Sequence, residues 1–170
     1  MKRILVLLLL ICACGAAWAE PARFEIPSTE WGISFDAPPL SQKQDRRNGG
    51  NYAFRANSGR FNLSFFVETP QGPGATHDDT FRYYWPQASR NQMIDKASVK
   101  IAPGASYVRV QYDILADLGG RKLRMRNVNY YIAYAGKWVD VHISMVEPGA
   151  EDEQVFTEFD NSLRLGPRAS

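Results

Sequence analysis

Apolar residues recur at every second position in several stretches of this chain, with polar residues between them. The clearest case is "RFNLSFFVE". Phe61, Leu63, Phe65 and Val67 fall on one side, and Arg60, Asn62, Ser64 and Glu68 on the other. "WGISFDA" places Trp31, Ile33 and Phe35 together. "YVRVQYDI" sets Val108, Val110, Tyr112 and Ile114 against Tyr107, Arg109, Gln111 and Asp113. "WVDVHISMV" sets Val139, Val141, Ile143 and Met145 against Trp138, Asp140, His142 and Ser144. A period of two marks half-buried strands, and one apolar face with one polar face marks an antiparallel sheet.

Between Lys122 and Tyr134 the parity changes. Leu123 and Met125 are odd, whereas Val128, Tyr130, Ile132 and Tyr134 are even. A one-residue slip turns a strand inside out, so the pattern predicts a β-bulge near Arg126–Asn127 that keeps both sets inside. Turns at "DLGG" and "AG" pair strand 105–115 with 122–134, and that strand with 138–147. Asp113 then lies near Arg124 as an exposed cross-strand ion pair of small worth.

Two segments carry helical spacing. In "THDDTFRYYWPQASR", Thr76 or Asp78 can cap, acids fill the first turn, and Phe81, Tyr84, Trp85 and Ala88 form one stripe. Arg82 and Tyr83 fall nearer the other side. Pro86 removes a hydrogen bond and clashes one turn back, so it predicts a kink at Tyr84–Trp85 or a helix end there. In "EDEQVFTEFDNSLRLG", Val155, Phe156, Phe159 and Leu163 repeat at helical spacing. Acids lead, Arg164 sits near the end, and Gly166 offers a left-handed cap. This second helix is expected to close the apolar face of the sheet. The chain thus reads as α+β: an antiparallel sheet of about six to seven strands with helices near residues 78–91 and 151–165.

The first nineteen residues stand outside that pattern. "MKR" is a basic start, Ile4 to Cys14 are apolar, and "AWA" presents small residues at Ala17 and Ala19. This reads as an export signal cleaved between Ala19 and Glu20, since a membrane span needs roughly 20 apolar residues. "ICAC" also loosely resembles a lipobox, which would make Cys14 a lipidated N-terminus. The expected location is therefore periplasmic or secreted, with residues 20–170 as a single globular domain. Both cysteines lie in the leader, so cleavage after Ala19 leaves no thiol or disulfide chemistry.

Charge adds little. The chain has 20 Lys plus Arg and 18 Asp plus Glu, and loss of Lys2 and Arg3 removes the excess of +2. Nucleic acid is therefore not an expected partner. No Walker loop, G-x-G-x-x-G, H-E-x-x-H or EF-hand pattern occurs. His77, Asp78 and Asp79 lack a second histidine at ligand spacing, and the acids serve the helix start. Asp140 and His142 share a strand face in the outline of a base and its orienter, without a nucleophile-elbow serine. No cofactor, metal or catalytic residue is assigned, and enzymatic activity is left open with a leaning against it. On the expected register Arg109, Gln111, Arg124, Tyr131, Asp140 and His142 crowd the polar sheet face. Arg82, Tyr83, Arg109, Arg124, Asp140 and His142 form the candidate surface for a ligand or partner.

Three features carry a family resemblance: the strand ending in "FDAPP", the "YYIAYAGKW" hairpin, and the closing helix with Ser162 before Leu163. Together with the order of elements they resemble the PsbP-like α/β/α sandwich, the fold of the extrinsic oxygen-evolving-complex protein of photosystem II and of many exported bacterial proteins. The resemblance implies binding or assembly rather than catalysis. No photosystem residue carries over, and residues 69–100 match nothing in it. The expected function is an exported, non-enzymatic binding or accessory protein of the cell envelope with a protein or small-molecule partner. The alternative is a small envelope hydrolase or ligand carrier with a cleft near Arg82, Tyr83 and the polar sheet face.

Overall fold

The computed structural model describes residues 21–168. The expected leader, its cleavage point and Cys14 lie outside them. Among the described residues ten strands form two antiparallel sheets. The larger has seven strands in the order β3 (Ser41–Asn48), β4 (Asn51–Ser58), β5 (Phe61–Glu68), β9 (Lys137–Val146), β8 (Arg121–Tyr134), β7 (Val108–Leu118) and β6 (Ile94–Pro103). The smaller has β2 (Trp31–Phe35) between β1 (Ala22–Glu25) and β10 (Arg164–Pro167). The helices are α1 (His77–Ala88) and α2 (Glu153–Ser162), the latter entered through a 3₁₀ turn at Ala150–Asp152. The chain is thus α+β and mostly sheet. Among the described residues no helix is long and apolar enough to cross a membrane.

Directly opposed residues in neighbouring antiparallel strands share a face. Phe54, Phe65, Val141 and Tyr130 form one such row. That face is closed by α2 and the small sheet, and it holds the main core. Phe159 is fully buried, stacked on Phe35 at 4.9 Å and tilted against Tyr130 at 5.4 Å. The opposite face carries a second, smaller core under α1, formed by Ile94, Val108, Val110, Tyr112 and Tyr131. Phe81, Tyr84 and Trp85 pack down on it, as their spacing predicts.

Two covered faces account for the parity change in β8. Its pairing with β7 runs without a break from Val108↔Tyr131 to Leu118↔Arg121, and its pairing with β9 is equally continuous. The expected bulge near Arg126–Asn127 is therefore absent. Leu123 and Met125 lie opposite Ala116 and Ile114 on the α1 side, while Val128, Tyr130 and Ile132 serve the main core. The register shifts fall instead in the edge strands, between Ser41 and Gln44 in β3 and between Asp95 and Lys100 in β6. Edge bulges disrupt the row of free backbone groups that invites pairing with another chain.

Two further expectations change. Pro86 does not end α1, which continues to Ala88. Gly166 is no helix cap: α2 ends at Ser162 with Leu163 as its C-cap, and Gly166 pairs with Gly32 in the small sheet. The Thr76 cap does form. Its hydroxyl accepts from the Asp79 amide at 3.1 Å, and its own amide donates to Asp79 Oδ2 at 3.0 Å. This is a capping box, which satisfies two amides left free at the helix start.

Candidate functional site

α1 lies on one end of its sheet face and leaves the rest open. It packs on β8 and β7. Thr80 makes the close approach: it is fully buried, and its hydroxyl donates to the Ile132 carbonyl at 3.4 Å. His77 ties the helix start to the same strand, with Nδ1 accepting from the Ala133 amide at 3.0 Å. The HDD triplet is thus divided among three tasks. His77 binds β8, Asp78 pairs with Arg82 at 2.7 Å, and Asp79 closes the capping box.

A polar cluster lies where the covered and open parts of this face meet. Asp140 Oδ1 accepts from Asn129 Nδ2 at 2.9 Å, and the Tyr112 hydroxyl donates to Asn129 Oδ1 at 3.2 Å. The Tyr84 hydroxyl donates to Glu68. The Tyr131 hydroxyl and the Trp138 indole N–H are buried without a hydrogen-bond partner among the described residues. Burial pushes the Asp140 carboxyl up to about 7, with the Glu68 charge adding to it and the Asn129 hydrogen bond opposing it. Burial pushes the Tyr112 phenol up to about 12, helped by Asp140. The Tyr84 and Tyr131 phenols are raised as well, first by burial and then by the neighbouring acids.

His142 stands next along β9, at the rim of the open part. Asn127 Nδ2 donates to the Met125 carbonyl at 2.8 Å, which turns Oδ1 toward His142 Nε2 at 3.0 Å. Nε2 therefore carries the proton, and Nδ1 is the ring's acceptor. Burial pulls the imidazole down to about 4, so the ring is neutral at ordinary pH. Ser64 faces His142 in register across β5 and β9. No hydrogen bond links Ser64, His142 and Asp140 among the described residues, because each of the latter two is held by its own asparagine. A nucleophile, base and orienter in series is thus not assembled.

Beyond His142 the face is a shallow groove of about 540 Å³, lined by Gln42, Gln44, Arg55, Asn57, Asn62, Ser64, Phe66 and His142 among others. The register explains the grouping: Gln44 opposes Arg55, Arg55 opposes Ser64, and Ser64 opposes His142. The Arg55 guanidinium sits 5.8 Å from the centre of the Phe66 ring. A second depression of about 270 Å³ continues along the same strands, and Phe66 and Ala53 help to line it, with Arg46 and Glu68 at its sides.

The residues singled out in the sequence are not brought together. Arg109 and Arg124 lie on the α2 face, opposite the one that carries Asp140 and His142, because Arg109 pairs with Tyr130 and Arg124 with Leu115. Arg109 Nε contacts Asp160 of α2 at 2.9 Å, and Arg124 Nη2 donates to the Pro148 carbonyl at 2.8 Å. Arg124 also approaches Asp113 at 3.8 Å, the neighbour expected from the strand order. Arg82 and Tyr83 are exposed on α1 and line none of the four depressions described among these residues. Of the six, only His142 lines the groove. The alternation of "RFNLSFFVE" already placed Asn62 and Ser64 on a polar face. Arg55 is exposed between buried Phe54 and Ala56 in β4, an alternation also present in the sequence, whereas Gln44 left no such signal, since β3 is exposed at every position.

No family model matches the chain, and no curated protein matches it in sequence. Solved structures do resemble it. A protein from Bacteroides thetaiotaomicron VPI-5482 superposes with a TM-score of 0.48 at 11% identity, over 87% of this chain and 48% of the other. This chain thus spans about half the length of that protein. LpqN of Mycobacterium tuberculosis, described as involved in cell envelope biogenesis, superposes with a TM-score of 0.51 at 10% identity, over 86% of this chain and 90% of its own. At that identity the likeness to LpqN is one of fold.

Proposed function

We propose that this chain is an exported, non-enzymatic binding or accessory protein of the cell envelope, of PsbP-like type, whose working surface is the open end of the α1 face. The observation that carries this reading is the shallow groove beside His142. It is open to solvent and rich in amides, and its one histidine is neutral and committed to Asn127. Such a surface can hold a partner by hydrogen bonds but offers no activated nucleophile. The export-type leader agrees with this role, and so does the envelope role attached to the fold neighbour LpqN.

Two measurements on one preparation test it. The tagged chain is fractionated from its own cells, and the envelope fraction is assayed for turnover of a generic ester. The expected outcome is a chain recovered outside the cytoplasm, with Glu20 as its first residue and no turnover above background. Recovery in the cytoplasm, or turnover that disappears in His142→Ala, contradicts the reading.

A further inference from the structure

We infer that the groove across β3, β4 and β5 binds an extended, carboxylate-bearing sugar chain. This rests on the reading of the chain as a binding protein and names its ligand class.

The lining argues by what it contains and what it lacks. Gln44 and Asn62 supply carboxamides, each both donor and acceptor, Ser64 adds a hydroxyl, and Asn57 Nδ2 donates to Gln42 Oε1 at 2.9 Å, which leaves the Gln42 amide as a donor. Sugar hydroxyls are donors and acceptors in the same way. No carboxylate lines the main groove, which disfavours cations and basic peptides. Phe66 is its only aromatic side chain, too little apolar surface for an acyl chain or a greasy helix. Arg55 is its only cation, and it makes no ion pair among the described residues. Its planar fork matches a carboxylate, and the guanidinium lies over the Phe66 ring, a weak cation–π contact at an exposed site.

The shape argues for a chain rather than a single sugar. The two depressions share Phe66 and run side by side along the same strands. Arg46 lies on the same face as Arg55, one strand over and two register steps along, and is also unpaired among the described residues. Each depression therefore offers one guanidinium, an arrangement suited to a ligand that repeats its anionic group. The one carboxylate of the second depression, Glu68, already accepts the Tyr84 hydroxyl.

Isothermal titration of the exported chain with hexagalacturonate tests this, with cellohexaose, polyphosphate and a single-stranded oligonucleotide as comparisons. Hexagalacturonate is expected to bind, and cellohexaose to bind more weakly because it lacks the carboxylates. Arg55→Gln should weaken hexagalacturonate about tenfold, and Arg46→Gln less. Both arginines are exposed, so both variants should keep the parent's circular dichroism. Absence of hexagalacturonate binding, equal binding of polyphosphate or oligonucleotide, or an unaffected Arg55→Gln overturns the inference. Failure here without ester turnover leaves the binding role standing. Turnover dependent on His142 overturns that role itself.

Discussion

Asp140 and His142 lie two residues apart on β9 and titrate in opposite directions from their ordinary values. Asp140 rises from 3.8 to about 7 and His142 falls from 6.5 to about 4, both chiefly by burial. The signs follow from proton linkage. Folded Asp140 keeps a proton that the unfolded chain has lost, so its stabilising share is full below pH 3.8 and is lost as pH rises through about 7. Folded His142 refuses a proton that the unfolded chain accepts, so its share is full above pH 6.5 and is lost as pH falls through about 4. Asp140→Asn should therefore raise the Tm over the parent more at pH 8 than at pH 4, because it removes a half-buried charge present only at the higher pH. Thermal melts at the two pH values check this, and an equal shift at both contradicts it. The sequence placed these two residues correctly on one face. It could not show that each would be held by an asparagine from β8, because Asn127 and Asn129 look like ordinary polar positions until the register brings them opposite Ser144 and His142.

At the scale of elements, α1 carries its own flaw. Pro86 lies inside the helix, two residues from its end, and has no N–H for the Arg82 carbonyl. The helix continues because its end is secured otherwise. The Ser89 amide reaches the Trp85 carbonyl at 2.8 Å, and Gln87 Nε2 reaches the Tyr83 carbonyl at 2.9 Å. The aromatic stripe also holds it to the sheet. Pro86→Ala restores the missing bond but loosens the unfolded chain, and the net gain should be about 1 kcal/mol. Urea unfolding reads this as a higher midpoint at unchanged slope, and a lower midpoint would mean that the ring itself packs. Arg109 tests the other face. It joins α2 to β7 through Asp160, which also accepts the Tyr130 hydroxyl. Arg109→Met should cost about 1–3 kcal/mol, because Asp160 loses a charged partner in a partly buried place. The same measurement checks it, and a cost near zero would make the pair a surface ornament.

Across the whole molecule, much of the architecture was legible and one assumption misled. Strands β5, β7, β8 and β9 and both helices follow from periodicity alone. The misreading came from supposing a single apolar face. Val108, Val110 and Tyr112 are apolar because α1 covers them, whereas Val139, Val141 and Ile143 are apolar because α2 and the small sheet do. Alternation reports that a face is buried and not which one, so Arg109 and Arg124 were placed beside Asp140 and His142 when they lie through the sheet from them. β3 and β10 escaped notice for opposite reasons: β3 is exposed throughout, and β10 is four residues long. The groove depends on the first of these, since it needs β3 as a wall, and on α1 being confined to the far end of the face. The binding surface can be located directly by titrating the ¹⁵N-labelled protein with hexagalacturonate and following the amide resonances. Shifts concentrated at Gln44, Arg55, Asn62, Ser64, Phe66 and His142 are the predicted result. Shifts confined to α1 or to the depression lined by Ser106 and Arg164, or no shifts at all, would contradict it.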